Sequence, residues 1–306
     1  MSGQRVRAVG QMLLGVVPVL IVGAALLVVL AVRLAGTGAV LDSASASAQG
    51  VVTGTGLGER GREIEVTYTD SSGAEQVGLL TLGGVEEVPL DAQVEIVYDP
   101  DNPEVVFAPG DATSSQVGRL ITGLLLIGVV MLTCLAITAL RWARRRSLLD
   151  RPGQSMRASR VKVRRGLSDR SWLTLESGER PVWVPVYWEP VLQTLGEAPT
   201  PVTGHGSPGA DKLIGFEVAG TPVWPSGRAR TEAPAGVPTE GGSRQAEPIS
   251  LAAQTRADIA PVFFAPVLGL LWAYIDGSGA GSFAVATAMC AALLFWLPSV
   301  YGSDPT

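Results

Sequence analysis

From Leu120 to Leu140 the chain reads LITGLLLIGVVMLTCLAITAL without a charged side chain, and Arg141, Arg144, Arg145 and Arg146 follow at once. An apolar run of about 20 residues, rising about 1.5 Å each, matches the ~30 Å hydrocarbon core of a bilayer. Within that core a helix satisfies its own backbone groups, so the run predicts a membrane-spanning helix. The arginines set its direction, because Lys and Arg beside a span are retained on the cytoplasmic side. They also imply contact with anionic lipid of the inner leaflet, which attracts each nearby cation by about 1 kcal/mol. Nucleic acid is a poorer partner for these charges, because Asp150, Asp169 and Glu176 interrupt the basic surface.

Three further apolar runs complete a four-span pattern: Met12 to Val32, Ile259 to Ile275 and Phe283 to Val300. The expected fold class is a membrane protein of mixed α+β type, four transmembrane helices carrying two small β-rich soluble domains. Residues 1–11 and 301–306 form cytoplasmic termini, and a short external loop over 276–282 joins the last two spans. The first run exceeds the ~7–15 residue core of a signal peptide, which predicts a retained anchor. The small-x-small sites Ala44-Ser45-Ala46 and Ala46-Ser47-Ala48 lie well beyond its end. Trp272, Tyr274, Trp296 and Tyr301 fall near run ends, where amphipathic rings settle at the membrane surface. Ala284, Ala288 and Ala292 recur at four-residue spacing and offer a small-residue face for helix packing, within the chain or between copies. Cys134 and Cys290 lie inside apolar runs and read as small core hydrophobes rather than a disulfide. No Asp, Glu, Lys, Arg or His interrupts the four runs, which argues against a carrier of ions or protons.

Between the first two spans, Leu34 to Gly118 holds fourteen of the 28 acids and two of the 23 basic residues. Ile64, Val66 and Tyr68 alternate with Glu65 and Thr67 before the turn Asp70 to Gly73, and Val94, Ile96 and Tyr98 repeat the pattern. Period-two alternation bounded by turn residues predicts antiparallel strands, here a small barrel or curled sheet of about five strands outside the cytoplasm. After Arg146, residues 141–230 predict a second, cytoplasmic and basic β domain. Its strands are expected at Arg160 to Arg164, Trp172 to Leu175, Val182 to Trp188, Leu213 to Val218 and Pro222 to Trp224, with a helical turn around Glu189 to Leu195. The composition of 231–258 suggests a flexible linker.

Three stretches carry a resemblance: Gly50-Val51-Val52-Thr53-Gly54, then Val66 to Gly73, then Val94 to Pro103, with Tyr98-Asp99-Pro100-Asp101-Asn102-Pro103 the most specific part. The region from about Met12 to Leu140 resembles the bacterial membrane-protein family called domain of unknown function 3592. The resemblance implies a small β domain held between two helices in a membrane. It implies no activity and no catalytic residues.

Other motifs have simpler explanations. Gly56-Leu57-Gly58-Glu59-Arg60-Gly61 satisfies G-x-G-x-x-G, but a strand follows it where a nucleotide-binding unit needs a helix, so it reads as a hairpin loop. Asp99, Asp101 and Asn102 could offer oxygens to calcium, yet Pro100 and Pro103 favour a rigid turn. The lone His205, in a Gly- and Pro-rich stretch, reads as a solvated loop residue, and Glu86-Glu87 as a solvated pair. A zinc site of paired histidines is excluded by the single histidine. The expectation is a non-enzymatic, cofactor-free scaffold or sensor of the bacterial cytoplasmic membrane that binds protein partners or copies of itself. The alternative is an accessory subunit of a membrane-bound enzyme or transporter.

Overall fold

The structure, a computed structural model, describes residues 7–58, 61–84, 87–176, 180–239, 244–276 and 279–306. Contacts divide the chain into two units: Ala24–Val129, and the chain up to Gly23 together with Val130–Thr306.

The first unit contains the end of helix α1 (Arg7–Ser43), strands β1 (Ala46–Leu57), β2 (Glu63–Thr69), β3 (Glu75–Thr81), β4 (Gln93–Asp99) and β5 (Asn102–Phe107), and the start of helix α2 (Ala112–Arg146). The strands close into a barrel in the order β1-β2-β3-β5-β4, with β4 back on β1. All pairs are antiparallel except β3 with β5, which gives the five-stranded Greek-key arrangement of OB-type barrels. The expected alternation is what closes it: Ile64, Val66 and Tyr68 point inward with Val52, Leu80, Ile96, Tyr98 and Val106. Gly50 and Gly78 make room for this core, since a Cβ at either would stand 2.3 Å from Val66 Cγ1 or 2.5 Å from Val106 Cγ1. Gly56, at the irregular end of β1, and Gly58, in the loop to β2, take left-handed φ values of 69° and 76°. Glu59 and Arg60 of that loop lie outside the described residues, as does Glu86.

The second unit is built on a curved sheet. Its strands are β6 (Gly153–Arg165), β7 (Ser168–Leu175), β8 (Val182–Val186), β9 (Thr200–His205), β10 (Gly215–Val218), β11 (Thr221–Val223) and β12 (Val237–Thr239). They run in the order β11-β10-β9-β6-β7-β8, with β12 on β6. The chain after β11 returns to the far edge, where Trp183 and Arg230 exchange amide bonds of 2.7 and 2.8 Å and Ser226 N donates to Pro185 O. The sheet thereby curls into a half-barrel around Leu173, Val184, Leu192, Ile214 and Phe216. A 3-10 turn at Pro190–Thr194 fills the predicted helical position. Helices α3 (Leu251–Asp258), α4 (Ala265–Asp276) and α5 (Gly279–Tyr301) follow, with a 3-10 turn at Ala260–Phe264 leading into α4.

Four helical segments among the described residues are long and apolar enough to cross a membrane: Arg7–Ser43, Ala112–Arg146, Leu251–Asp276 and Gly279–Tyr301. Helix α1 runs through Pro18 without a break. Both α1 and α2 extend past their apolar runs, and no proline stands in the flanking turns to stop them. The bend over 276–282 is shorter than expected, with α5 starting at Gly279 and residues 277–278 outside the described set.

Where the sequence suggests a flexible linker over 231–258, the described residues include a short strand and a helix. Val237, Pro238 and Thr239 pair with Arg164, Val163 and Lys162, Arg244 N donates to Gln193 O, and Ser250 caps α3 by accepting from Ala253 N. Proline and glycine do not prevent a strand at a sheet edge, where one side of the backbone needs no partner. The tail 301–306 is likewise part of the sheet unit. Gly302 takes a left-handed φ of 75° and ends α5, both Gly302 N and Ser303 N donate to Pro298 O, and Asp304 N then donates to Asp169 O.

Candidate functional site

Where the helices meet the curved sheet, polar side chains converge in an otherwise apolar setting. Ala8, Met12, Tyr187 and Trp224 form a small buried cluster that seats the start of α1 on the end of β8. Beside it the Glu189 carboxylate, also buried, accepts from Ala8 N at 3.3 Å. Burial pushes its pKa up to about 7, with the first amides of α1 and the Arg7 charge pulling the other way. The Arg7 guanidinium lies 4.6 Å from the centre of the Trp188 ring and donates to Ile249 O.

One turn along α1, Gln11 donates to Ser303 Oγ at 2.7 Å and to Ser303 O at 3.2 Å. Ser303 also accepts from Gln254 at 2.7 Å and bonds to the buried Asp258 carboxylate. A second knot joins the tail to the sheet. Arg160 donates to Asp304 at 2.7 Å and to Leu192 O at 3.3 Å, while Ser171 Oγ donates to the same Asp304 oxygen. Arg160 and Asp304 are both buried, so the pair persists only because these further bonds occupy the remaining donors and acceptors.

The end of α2 makes a third attachment. Arg145 is 4 % exposed and donates to Pro225 O and Ser226 O. Arg141 donates to Ser226 O at 3.2 Å and to Val300 O, and Tyr187 Oη donates to Val300 O at 3.0 Å. Tyr301 takes Arg141 and Arg170 against its ring at 5.8 and 5.6 Å. Burial beside Arg230 and Arg141 pushes the Arg170 pKa down to about 10.

This geometry divides the four arginines expected at the membrane surface. The guanidinium groups of Arg141 and Arg145 are occupied by main-chain carbonyls, which leaves Arg144 and Arg146 exposed, with Arg146 beside the Trp142 ring at 5.6 Å. The alanine face is graded too: Ala292 is buried among Val16, Val19, Cys134 and Trp296, Ala288 is half-buried and Ala284 is exposed. Sequence reasoning missed the polar knots, because their members are spread from Gln11 to Asp304 without a motif. The one visible signal was the polar group Ser303-Asp304 directly after an apolar run.

His205 corrects the expectation of a solvated loop residue. It ends β9, is 6 % exposed, has Nδ1 2.8 Å from Arg151 O, and leaves Nε2 without a hydrogen-bond partner among the described residues. Pro199, Pro201, Gly204 and Gly206 hid the strand, although Val202 and Gly204 are placed as an edge of the core requires. Glu87 is exposed. Among the described residues no group of three His, Cys, Asp or Glu side chains could hold a metal ion.

In the barrel, the Tyr98 to Pro103 stretch forms the tight β4–β5 turn. Asp99 accepts from Asp101 N at 2.9 Å, pairs with Asn102 across the turn, and Pro100 is exposed at its tip. Tyr98 Oη accepts from Ser71 N at 2.8 Å, Tyr68 Oη donates to Pro103 O, and the two rings stand 4.9 Å apart. The motif therefore pins the β4–β5 turn to the β2–β3 turn, a structural task. Asp70 stabilises the second turn by accepting from Ser72, Ala74 and Gln76, which holds its pKa down at about 2. Val77 and Leu79 on β3 are exposed on the outer wall, with Val51 two strands away on β1.

Taken together, these features define two small β units carried on four helices long and apolar enough for a bilayer. Comparison with protein-family models, with curated proteins and with solved structures returned no match.

Proposed function

We propose that this chain is a multi-pass protein of the bacterial cytoplasmic membrane that acts as a non-enzymatic scaffold or sensor. In this reading the acidic barrel lies outside the cell, the half-barrel and both termini lie in the cytoplasm, and the partners are proteins or further copies of the chain. The resemblance to the domain of unknown function 3592 family fits that arrangement. The observation that carries the reading is the set of buried polar attachments between the half-barrel and the ends of α1, α2, α3 and α5. A soluble domain on a passive anchor needs no such attachments, whereas one that must follow the helices does. Exposed Arg144 and Arg146 suit anionic lipid at the inner leaflet.

The test is crosslinking in intact cells followed by detergent extraction and mass spectrometry, comparing the full chain with one lacking Leu34 to Gly118. A protein partner lost with the deletion supports the reading. Recovery of the same partners by both chains removes the barrel from it. Val77→Ser and Leu79→Ser are the first point variants, because their exposed apolar side chains can change without touching the barrel core.

A further inference from the structure

The β6–β7 hairpin and the last turn of α3 border an open cleft of about 330 Å³. Arg164, Leu167 and Asp169 line it from the hairpin, Arg256 and Ala260 from the helical side, and Asp304 from the tail. Both of its carboxylates are already paired. Asp304 is taken by Arg160 at 2.7 Å, while Asp169 is taken by Arg164 at 2.7 Å and Lys162 at 3.0 Å. Arg256 is exposed and pairs with no acid among the described residues. Two arginines and two carboxylates line the cleft, and with both carboxylates held by Arg160, Lys162 and Arg164, Arg256 is the lining charge left to meet an anion. A guanidinium meets phosphate oxygens with two parallel N–H donors, which makes phosphate the best-matched anion.

The surroundings add a second requirement. Ala260 opens the 3-10 turn that leads into α4, and Phe263 and Phe264 on that turn are 78 % and 55 % exposed. Leu167, at the tip of the hairpin beside Gly166 (φ 61°), is also exposed. A cleft with an unpaired arginine and the exposed Leu167 in its lining, a few residues before the chain turns into an apolar helix, fits an amphiphile better than a free ion. We propose that this cleft binds the phosphate of an anionic phospholipid headgroup, with Arg256 as its principal contact and Leu167 and Phe263 against the acyl chains. The proposal rests on the reading that these helices span the bilayer with the half-barrel on its cytoplasmic side. It is separate from surface contact by Arg144 and Arg146.

The experiment titrates the purified full chain in detergent with dioctanoyl-phosphatidylglycerol, dioctanoyl-phosphatidylcholine and inorganic phosphate, by native mass spectrometry and calorimetry. Phosphatidylglycerol is expected to bind in preference to phosphatidylcholine, with Arg256→Gln weakening it about fivefold, the equivalent of one cation near anionic lipid, and Arg256→Glu weakening it more. The double variant Arg144→Gln, Arg146→Gln should change it less than about twofold. Because Arg256 is exposed, unchanged thermal melting of both Arg256 variants shows that the effect is local. Unchanged affinity in both would overturn the proposal. If affinity then falls in the Arg144 and Arg146 variant, general lipid contact stands without the cleft. Inorganic phosphate that binds as tightly as the lipid, through Arg256, would also overturn it by making the site one for a soluble anion. Resistance of the chain to alkaline carbonate extraction reads membrane insertion independently of both.

Discussion

At the scale of single residues, the informative side chains are polar ones placed where water is scarce. Glu189 is the sharpest case. Its pKa rises from 4.5 to about 7 on folding. Below both values the carboxyl is protonated in either state, and between them the folded state alone holds the proton. Stability therefore falls as pH rises from about 4.5 to about 7, by up to about 3 kcal/mol for a shift of this size. Glu189→Gln keeps an acceptor for Ala8 N and removes the titration. Its melting temperature should exceed the parent's at pH 8, match it near pH 4.5 and lack the slope between. A parallel pair of curves would remove Glu189 from the account. Asp70 works in the opposite sense: its pKa is held down at about 2, so what it contributes to the β2–β3 turn is lost as pH falls from about 4 towards 2. Ala219 is a different residue-scale feature. With φ 49° beside Gly220 at φ 74°, it occupies the first place of a two-residue hairpin turn that suits Asn or Gly. Ala219→Asn should stabilise the half-barrel by about 0.5–1 kcal/mol, read as a rise in melting temperature.

At the scale of elements, the sequence revealed what repeats and hid what is assembled. Apolar runs showed the four helices, and the alternation through Ile64, Val66 and Tyr68 showed a strand with one face inward, because each signal lies within a few neighbouring residues. Strand β9 was invisible because prolines and glycines carry the same letters in a strand as in a loop. Strand β12 was invisible because its pairing with Lys162 to Arg164 is a long-range fact. The candidate site was legible only in part: Arg144 and Arg146 stayed at the surface as their sequence context suggests, while Arg141 and Arg145 turned inward to carbonyls that no local pattern announces. Barrel closure shows the same limit, since Gly50 and Gly78 look like ordinary breaks in strand propensity. Their function is space. Gly78→Ala would drive a methyl to 2.5 Å from Val106 Cγ1, and such overpacking should cost about 1–3 kcal/mol. Val106→Ala in the same chain should recover part of that cost, and a double-mutant cycle on melting temperature measures the coupling. Strict additivity would show that the two positions do not compete for volume.

At the scale of the molecule, the tail after α5 decides whether the half-barrel and the helix ends behave as one body. Ser303 connects Gln11 of α1 with Gln254 and Asp258 of α3, and Asp304 connects α5 with β6 and β7 through Arg160 and Ser171. Removing only one partner of a buried ion pair strands the other charge without water. Asp304→Ala should therefore cost about 3–5 kcal/mol, more than a surface pair would. Arg160→Met in the same chain removes the stranded guanidinium and should return most of the loss, because an apolar side chain of similar length can fill the space. Limited proteolysis reads the same change in mechanical terms. The parent should resist cleavage within α3 while the single variant is cut there, since Gln254 and Asp258 of that helix lie against the tail. The double variant should regain resistance. If the single variant melts and resists as the parent does, the tail is a passenger, and the coupling of half-barrel to helices must rest on Arg141, Arg145 and the α1 contacts alone.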